Sequence, residues 1–156
     1  MDNIMETREK TIEVLNDLIK INYDRIAGYL KASNTVKITE ADLKTLFQRM
    51  AEESRDYVEE LAAEVISLDG QPASDTTTAG KIYRTWMDVK ATFSGKDVHA
   101  TLASCEFGED AAQRAYNDAM DADLEPSVLG LVAREKALLK GSHDLVKRYR
   151  DQFTEV

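Results

Sequence analysis

The chain has only two histidines, and the residues around them limit the metal chemistry that the sequence can support. A helical bundle that binds two iron ions supplies a Glu-x-x-His pair from each of two helices and one Glu from each of the other two. His99 and His143 instead follow Lys96 and Lys140 at the positions where that pair needs Glu. The sequence therefore lacks the full ligand set of a two-iron site.

Polar residues interrupt the apolar stripe of each long predicted helix near its middle. They are Asn22 on the first helix, Ser54 and Tyr57 on the second, Glu109 on the third and Glu135 on the fourth. Ferritin-like carboxylate proteins bind their metal ions at this level of the bundle. Because Asn, Ser and Tyr are weak replacements for imidazole and carboxylate ligands, we interpret Asn22, Ser54 and Tyr57 as a hydrogen-bonded polar core and expect no cofactor.

An altered metal site stays open as the alternative. It would be built from Glu109, Glu135 and His143, and it would bind iron or manganese in an oxidoreductase or storage relative. Eight residues separate Glu135 from His143, about 12 Å along a helix. One ion could not bridge that distance without a further bridging species.

Hydrophobic periodicity predicts four long helices and one short helix. The long helices are expected over about 3–32, 39–68, 97–123 and 126–153, and the short one over about 82–93. Short links join the first two and the last two long helices, which favours two antiparallel pairs. We therefore predict an all-α, single-domain ferritin-like four-helix bundle over residues 1–156, with a long crossover (about 70–96) that carries the short helix.

The inward face of the fourth helix has two possible registers. One apolar stripe comprises Val128, Leu131, Leu138, Leu145 and Tyr149. A rotated helix would instead turn Leu139, His143 and Val146 inward. We take the leucine stripe as the inward face and keep the rotated face as the alternative.

Glycines are expected to have two roles. Gly70 is predicted to end the second helix in a left-handed conformation. The glycines inside the predicted helices are expected to permit close backbone approach; they are Gly28, Gly108, Gly130 and Gly141.

Composition excludes several classes of function. The net charge of −9 disfavours nucleic acids and anionic membrane surfaces as partners. The single cysteine allows no intrachain disulfide, and no apolar run is long enough for a membrane span or a signal peptide. No nucleophile–base set or phosphate-binding loop is present, so we expect a cytoplasmic, acidic protein without enzymatic activity.

Three groups of residues carry a resemblance to a known family. They are Asn16-Asp17-Leu18, Asn22, Asp24 and Gly28-Tyr29 on the first helix, Lys81–Trp86 on the short helix, and Cys105–Asp110 with Tyr116 on the third helix. Over roughly residues 10–150 the chain resembles a bacterial family of ferritin-like four-helix-bundle proteins known as a domain of unknown function. The resemblance implies this fold and a bacterial cytoplasmic setting, and it supplies no reaction.

The predicted short helix is expected to dock on the bundle. Arg84 would pair with one of the carboxylates Glu106, Glu109 and Asp110, and Trp86 would pack against the helices. Apolar surface left over after docking favours a protein that acts as a homo-oligomer or through a protein partner.

Overall fold

Four α-helices make up the computed structural model, which describes residues 2–36, 40–74 and 98–152. They are α1 (Asp2–Thr35), α2 (Ala41–Ser67), α3 (Val98–Met120) and α4 (Pro126–Gln152). The predicted all-α class and the four-helix bundle are thus confirmed, and the predicted bounds differ by a few residues. The predicted short helix lies outside the described residues. No helix within the described ranges is long and apolar enough to cross a membrane.

Contacts between the helices fix their directions. α1 and α4 run one way, and α2 and α3 run the other way. The contacts that establish this are Asn22 with Ser54, Arg25 with Met50, Asn22 with Tyr116, Arg25 with Glu109, Tyr116 with Glu135 and His143 with Asp110. Because α2 and α3 are parallel, the end of α2 and the start of α3 lie at opposite ends of the bundle, about 40 Å apart for a helix of this length. This separation requires a long second link, whereas the antiparallel neighbours need only short ones.

The interior consists of two hydrophobic clusters with a polar layer between them. The first cluster includes Tyr29, Phe47, Leu102 and Val146, and the second includes Leu15, Leu61, Tyr116 and Leu139. The polar layer contains the buried polar side chains between them, which are Asn22, Arg25, Ser54, Glu109 and Glu135. Buried polar groups need hydrogen-bond partners. The residue types at the positions of this layer are therefore the most restricted in the interior.

The fully buried face of α4 is the rotated one, and the leucine stripe predicted to face inward is only partly so. Of its members, Val128 is buried, Leu131, Leu145 and Tyr149 are partly buried against the hydrophobic clusters, and Leu138 faces outward. The buried residues of α4 are Val128, Val132, Glu135, Leu139, Ser142 and Val146. Leu138 is 49% exposed. The rotation has a physical reason, because it lets Tyr116 bond to Glu135 and Ser142 bond to Glu53. The number of apolar residues on each face of the helix, on which the prediction rested, contains no information about these bonds.

The end of α2 also differs from the prediction. The residue with a left-handed backbone is Asp69, with φ 63°, rather than Gly70. The Gly70 amide donates to the Val65 carbonyl oxygen at 2.9 Å. A Cβ on Gly70 would lie 2.9 Å from Ile12 Cγ2, so glycine is needed there for lack of space. The next residues are held by Asn16, whose side chain bonds to the backbone of Gln71 and Ala73.

Two helical glycines do not serve the close approach that was expected of them. A Cβ added to Gly130 or Gly141 would meet no atom within 4 Å. Both positions are exposed on α4. Gly28 and Gly108, in contrast, are buried.

Candidate functional site

The guanidinium of Arg25 lies at the centre of the polar layer. The side chain is 1% exposed, and it reaches from α1 to both α2 and α3. Its Nε donates to Glu109 Oε1 at 2.5 Å. Its Nη1 donates to Ser54 Oγ at 2.7 Å and to the Met50 carbonyl oxygen at 3.0 Å. A buried cation is thus hydrogen-bonded to groups on both neighbouring helices.

Tyr29 completes the surroundings of the Arg25–Glu109 pair. Its hydroxyl donates to Glu109 Oε1 at 2.9 Å, and the Arg25 guanidinium carbon lies 5.1 Å from its ring centroid. Burial alone would lower the pKa of Arg25, but Glu109 and Tyr29 more than offset this and raise the pKa above its ordinary value. Burial and Glu109 also raise the pKa of Tyr29. Arg25 therefore remains charged, and Tyr29 remains a neutral donor.

A chain of hydrogen bonds continues from Ser54 across the bundle. Ser54 Oγ donates to Asn22 Oδ1 at 2.9 Å, and Asn22 Nδ2 donates to the Tyr116 hydroxyl at 2.9 Å. The Tyr116 hydroxyl donates to Glu135 Oε1 at 2.7 Å. The chain therefore runs through all four helices from Arg25 to Glu135.

Glu135 is neutralised differently from Glu109. It is fully buried. Burial raises its pKa to about 9; the bond from Tyr116 works against this shift, and an interaction with Glu60 adds to it. Glu135 therefore carries a proton near neutral pH. Of the two carboxyl groups in the layer, one is balanced by a guanidinium and the other by a proton.

Glu53 forms the partly exposed margin of the layer between α2 and α4. Its Oε1 accepts from Ser142 Oγ at 2.9 Å and from the Tyr57 hydroxyl at 3.3 Å. The same oxygen lies 3.7 Å from Arg25 Nη2. Burial and Glu53 raise the pKa of Tyr57. Tyr57 thus borders the layer through Glu53.

His143 lies in a separate cluster on the α3–α4 side of the bundle. Its Nε2 is 2.6 Å from Asp110 Oδ1, and its Nδ1 is 3.1 Å from Asp144 Oδ1. Burial works to lower the pKa of His143, but the bonds to Asp144 and Asp110 raise it above its ordinary value. In the same cluster, Glu106 pairs with Arg150.

Among the described residues, the sequence-predicted site residues are therefore distributed over two places. Asn22, Ser54, Glu109 and Glu135 belong to one hydrogen-bonded layer, with Tyr57 at its margin. His143 contacts neither Glu109 nor Glu135 among its hydrogen bonds; its partners are Asp110 and Asp144.

Arg84 and Trp86 lie outside the described residues. The three carboxylates expected to pair with Arg84 have other partners within the described part of the chain: Glu106 pairs with Arg150, Glu109 with Arg25 and Asp110 with His143.

Arg25 is the residue that the sequence reasoning missed. It follows the polar core residue Asn22 by three positions and precedes the core residue Tyr29 by four. Residues at these spacings share one helix face. The presence of an arginine on the inward face of α1 is the sequence feature that could have indicated a buried cation.

Residues 10–122 match the family model described as a domain of unknown function (DUF2383). The chain belongs to this family. The matched range of the DUF2383 protein extends from within α1 to just beyond the end of α3, so it includes Arg25 and Glu109 and ends before Glu135. No curated protein matches the chain.

Proposed function

We propose that this DUF2383 protein is a non-catalytic, ferritin-like four-helix bundle that acts by self-association. The ferritin-like part of the proposal rests on the helix directions and on the single long link between α2 and α3. Two antiparallel pairs joined by one long crossover are the arrangement of ferritin-like bundles. The non-catalytic part rests on the charges of the polar layer.

The observation that carries the non-catalytic part of the proposal is that groups of the chain itself balance both core carboxyl groups. Glu109 bonds to the Arg25 guanidinium at 2.5 Å, and Glu135 has a pKa of about 9 and carries a proton. A site for two divalent cations needs several carboxylates whose negative charge is not already compensated. The polar layer instead holds a fixed cation at its centre. It therefore favours a structural role for these residues.

A metal-binding oxidoreductase or storage protein is the second candidate. Its site would use Glu109, Glu135 and His143 with iron or manganese. This candidate is less well supported, because Arg25 and Tyr29 both bond to Glu109 Oε1, whereas His143 bonds to Asp110. It stays a prediction that metal analysis can test.

The proposed contact surface is the face of α4 that borders α2, where Leu138 is 49% exposed. Leu138 lies four residues from both Arg134 and Ser142, and these two side chains reach Glu60 and Glu53 on α2. Residues four apart share a helix face, so Leu138 lies at the opening between the two helices. Leu131 and Leu145, seven residues away on either side, are partly buried. A leucine repeat of this spacing suits packing against another helix, and we propose that a second copy of the chain supplies it.

Leu138→Glu tests this surface, and Ala137→Glu is its matched control. Both substitutions add one negative charge to an exposed position of α4, but only Leu138 belongs to the leucine repeat. We expect wild type and Ala137→Glu to form dimers whose fraction rises with protein concentration, and Leu138→Glu to remain monomeric. Sedimentation equilibrium measures the molar mass directly.

Two outcomes would contradict self-association through this surface. One is a wild-type monomer at every concentration. The other is a dimer that both substitutions leave unchanged. A monomer that binds a different protein through Leu138 would also contradict self-association, and it would show that the surface binds another partner.

A further inference from the structure

We propose that Glu106, Asp110 and His143 form a binding site for a divalent first-row transition ion of the Zn²⁺ type, separate from the polar layer. One ligand atom from each residue lies within 4.8 Å of the ligand atoms of the other two. Two of the residues lie one turn apart on α3, and the third lies opposite them on α4. Two carboxylate oxygens and one imidazole nitrogen are ligands that zinc accepts.

The surroundings of His143 suit a metal ligand. Its Nδ1 is 3.1 Å from Asp144 Oδ1, whereas its Nε2 points towards Asp110. Metal-ligating histidines commonly donate their other ring N–H to a carboxylate, which fixes the ring orientation. With the proton on Nδ1, the lone pair of Nε2 is directed at the same space as the carboxylates of Glu106 and Asp110.

With a neutral imidazole, the cluster has a surplus of negative charge that a cation would balance. Glu106, Asp110 and Asp144 surround the imidazole, Asp151 shares Arg150 with Glu106, and the nearby cations are Arg150 and Lys140. Without a metal ion, the 2.6 Å contact between His143 Nε2 and Asp110 needs a proton between the two atoms. Metal binding would replace this proton, so that the divalent ion binds and one proton leaves for solvent at each occupied site.

The site is open on one side. The side chain of Asp110 is 48% exposed, and that of His143 is 19% exposed. Three protein ligands leave a position for water or for an exogenous ligand. Arg150 pairs with Glu106, so it competes with the ion for that carboxylate and keeps the affinity lower than the ligand set alone would give.

Calorimetric titration of the tag-free chain with ZnCl₂ tests the site. We expect one ion per chain, with proton release that shows as a dependence of the heat on the ionisation enthalpy of the buffer. His143→Ala and Asp110→Asn should each weaken binding at least about tenfold, the scale of losing a ligand or its support. Arg150→Gln should tighten binding several-fold because it frees Glu106. His99→Ala, which removes the other histidine, is the matched control and should bind as wild type does.

Three results would overturn the site. The first is that wild type binds no Zn²⁺. The second is that His143→Ala binds Zn²⁺ as tightly as wild type does. The third is that Glu135→Gln abolishes binding while His143→Ala does not, which would place the ion in the polar layer. Circular dichroism of each variant shows whether the helices remain folded.

The site and the proposed self-association fail separately. A monomeric protein that binds Zn²⁺ through His143 would refute self-association and leave the site intact. A dimer whose zinc affinity is unchanged by His143→Ala would refute the site and leave self-association intact.

Discussion

Glu109 and Glu135 are both fully buried, yet they are neutralised by different groups. Arg25 and Tyr29 bond to Glu109, whereas Glu135 has a pKa of about 9 and retains a proton. Burying an isolated carboxylate is costly, and either a partner or a raised pKa removes most of that cost. The Arg25–Glu109 pair and the proton of Glu135 can therefore be tested by separate substitutions.

Arg25→Met should destabilise the protein strongly. The substitution leaves Glu109 buried without its cation, and breaking one side of a buried ion pair costs about 3–5 kcal/mol. The double variant Arg25→Met, Glu109→Leu should recover most of the loss, since it removes both charges. Urea unfolding measures each free energy of unfolding.

Arg55→Met is the matched control for that loss. Arg55 pairs with Glu52 on the surface, where both side chains are about half exposed. Such pairs contribute at most about 1 kcal/mol, so the control should change little. Equal, small losses for Arg25→Met and Arg55→Met would contradict a structural role for the buried pair.

Glu135→Gln should change how stability depends on pH. The folded pKa of about 9 lies above the ordinary value of 4.5, so the folded state binds one more proton than the unfolded state between these values. Wild-type stability should therefore fall as pH rises, by about 1.4 kcal/mol per pH unit within this window. The glutamine side chain of the variant has no such proton to lose, and its amide oxygen can still accept from Tyr116.

Urea unfolding of both proteins between about pH 6 and pH 8 measures this difference. The raised pKa of His143 adds a decline of the same sign, but it is present in both proteins and cancels in the comparison. Identical pH slopes for wild type and Glu135→Gln would show that Glu135 does not hold its proton in the folded state.

For single residues, the sequence predicts which positions of the core are polar better than it predicts which residues they bond to. Asn22, Ser54, Glu109 and Glu135 could be found because each interrupts an apolar stripe. Arg25 could not be assigned in the same way, because arginine is mostly exposed and its partners come from two other helices. Helix periodicity contains no information about which helices are neighbours.

The helices themselves follow from periodicity, and the errors lie in their rotation and their ends. The register of α4 is decided by hydrogen bonds to Glu135 and Ser142 rather than by the number of apolar residues on one face. The end of α2 depends on the close approach of Gly70 to Ile12, which leaves no room for a side chain at position 70. Contacts between distant parts of the chain determine both features.

Gly130→Ala and Gly70→Ala should have opposite effects on stability. Gly130 lies within α4 with no atom near its added Cβ, so alanine should stabilise the protein by about 1 kcal/mol through helix propensity. Gly70 has Ile12 and Val65 within about 3 Å of the added Cβ, so alanine there should destabilise it. Thermal unfolding ranks the two variants. A destabilised Gly130→Ala would contradict the open position on α4.

For the whole molecule, the lengths of the links are enough to predict two antiparallel pairs, and the contacts supply the rest. The direction of α3 relative to α1 follows from the bonds of Arg25 and Tyr29 to Glu109 and of Asn22 to Tyr116. The same bonds tie all four helices together at one level between two hydrophobic clusters. The polar layer therefore fixes the relative positions of the helices, and we propose that the Arg25 cation and the Glu135 proton balance its charges in place of a metal ion.

Anomalous scattering from crystals soaked in MnCl₂ tests this balance most directly. We expect no manganese peak within coordination distance of Glu109 and Glu135, and continuous density joining the Arg25 guanidinium to Glu109. A manganese peak between Glu109 and Glu135, with the guanidinium displaced from Glu109, would contradict it.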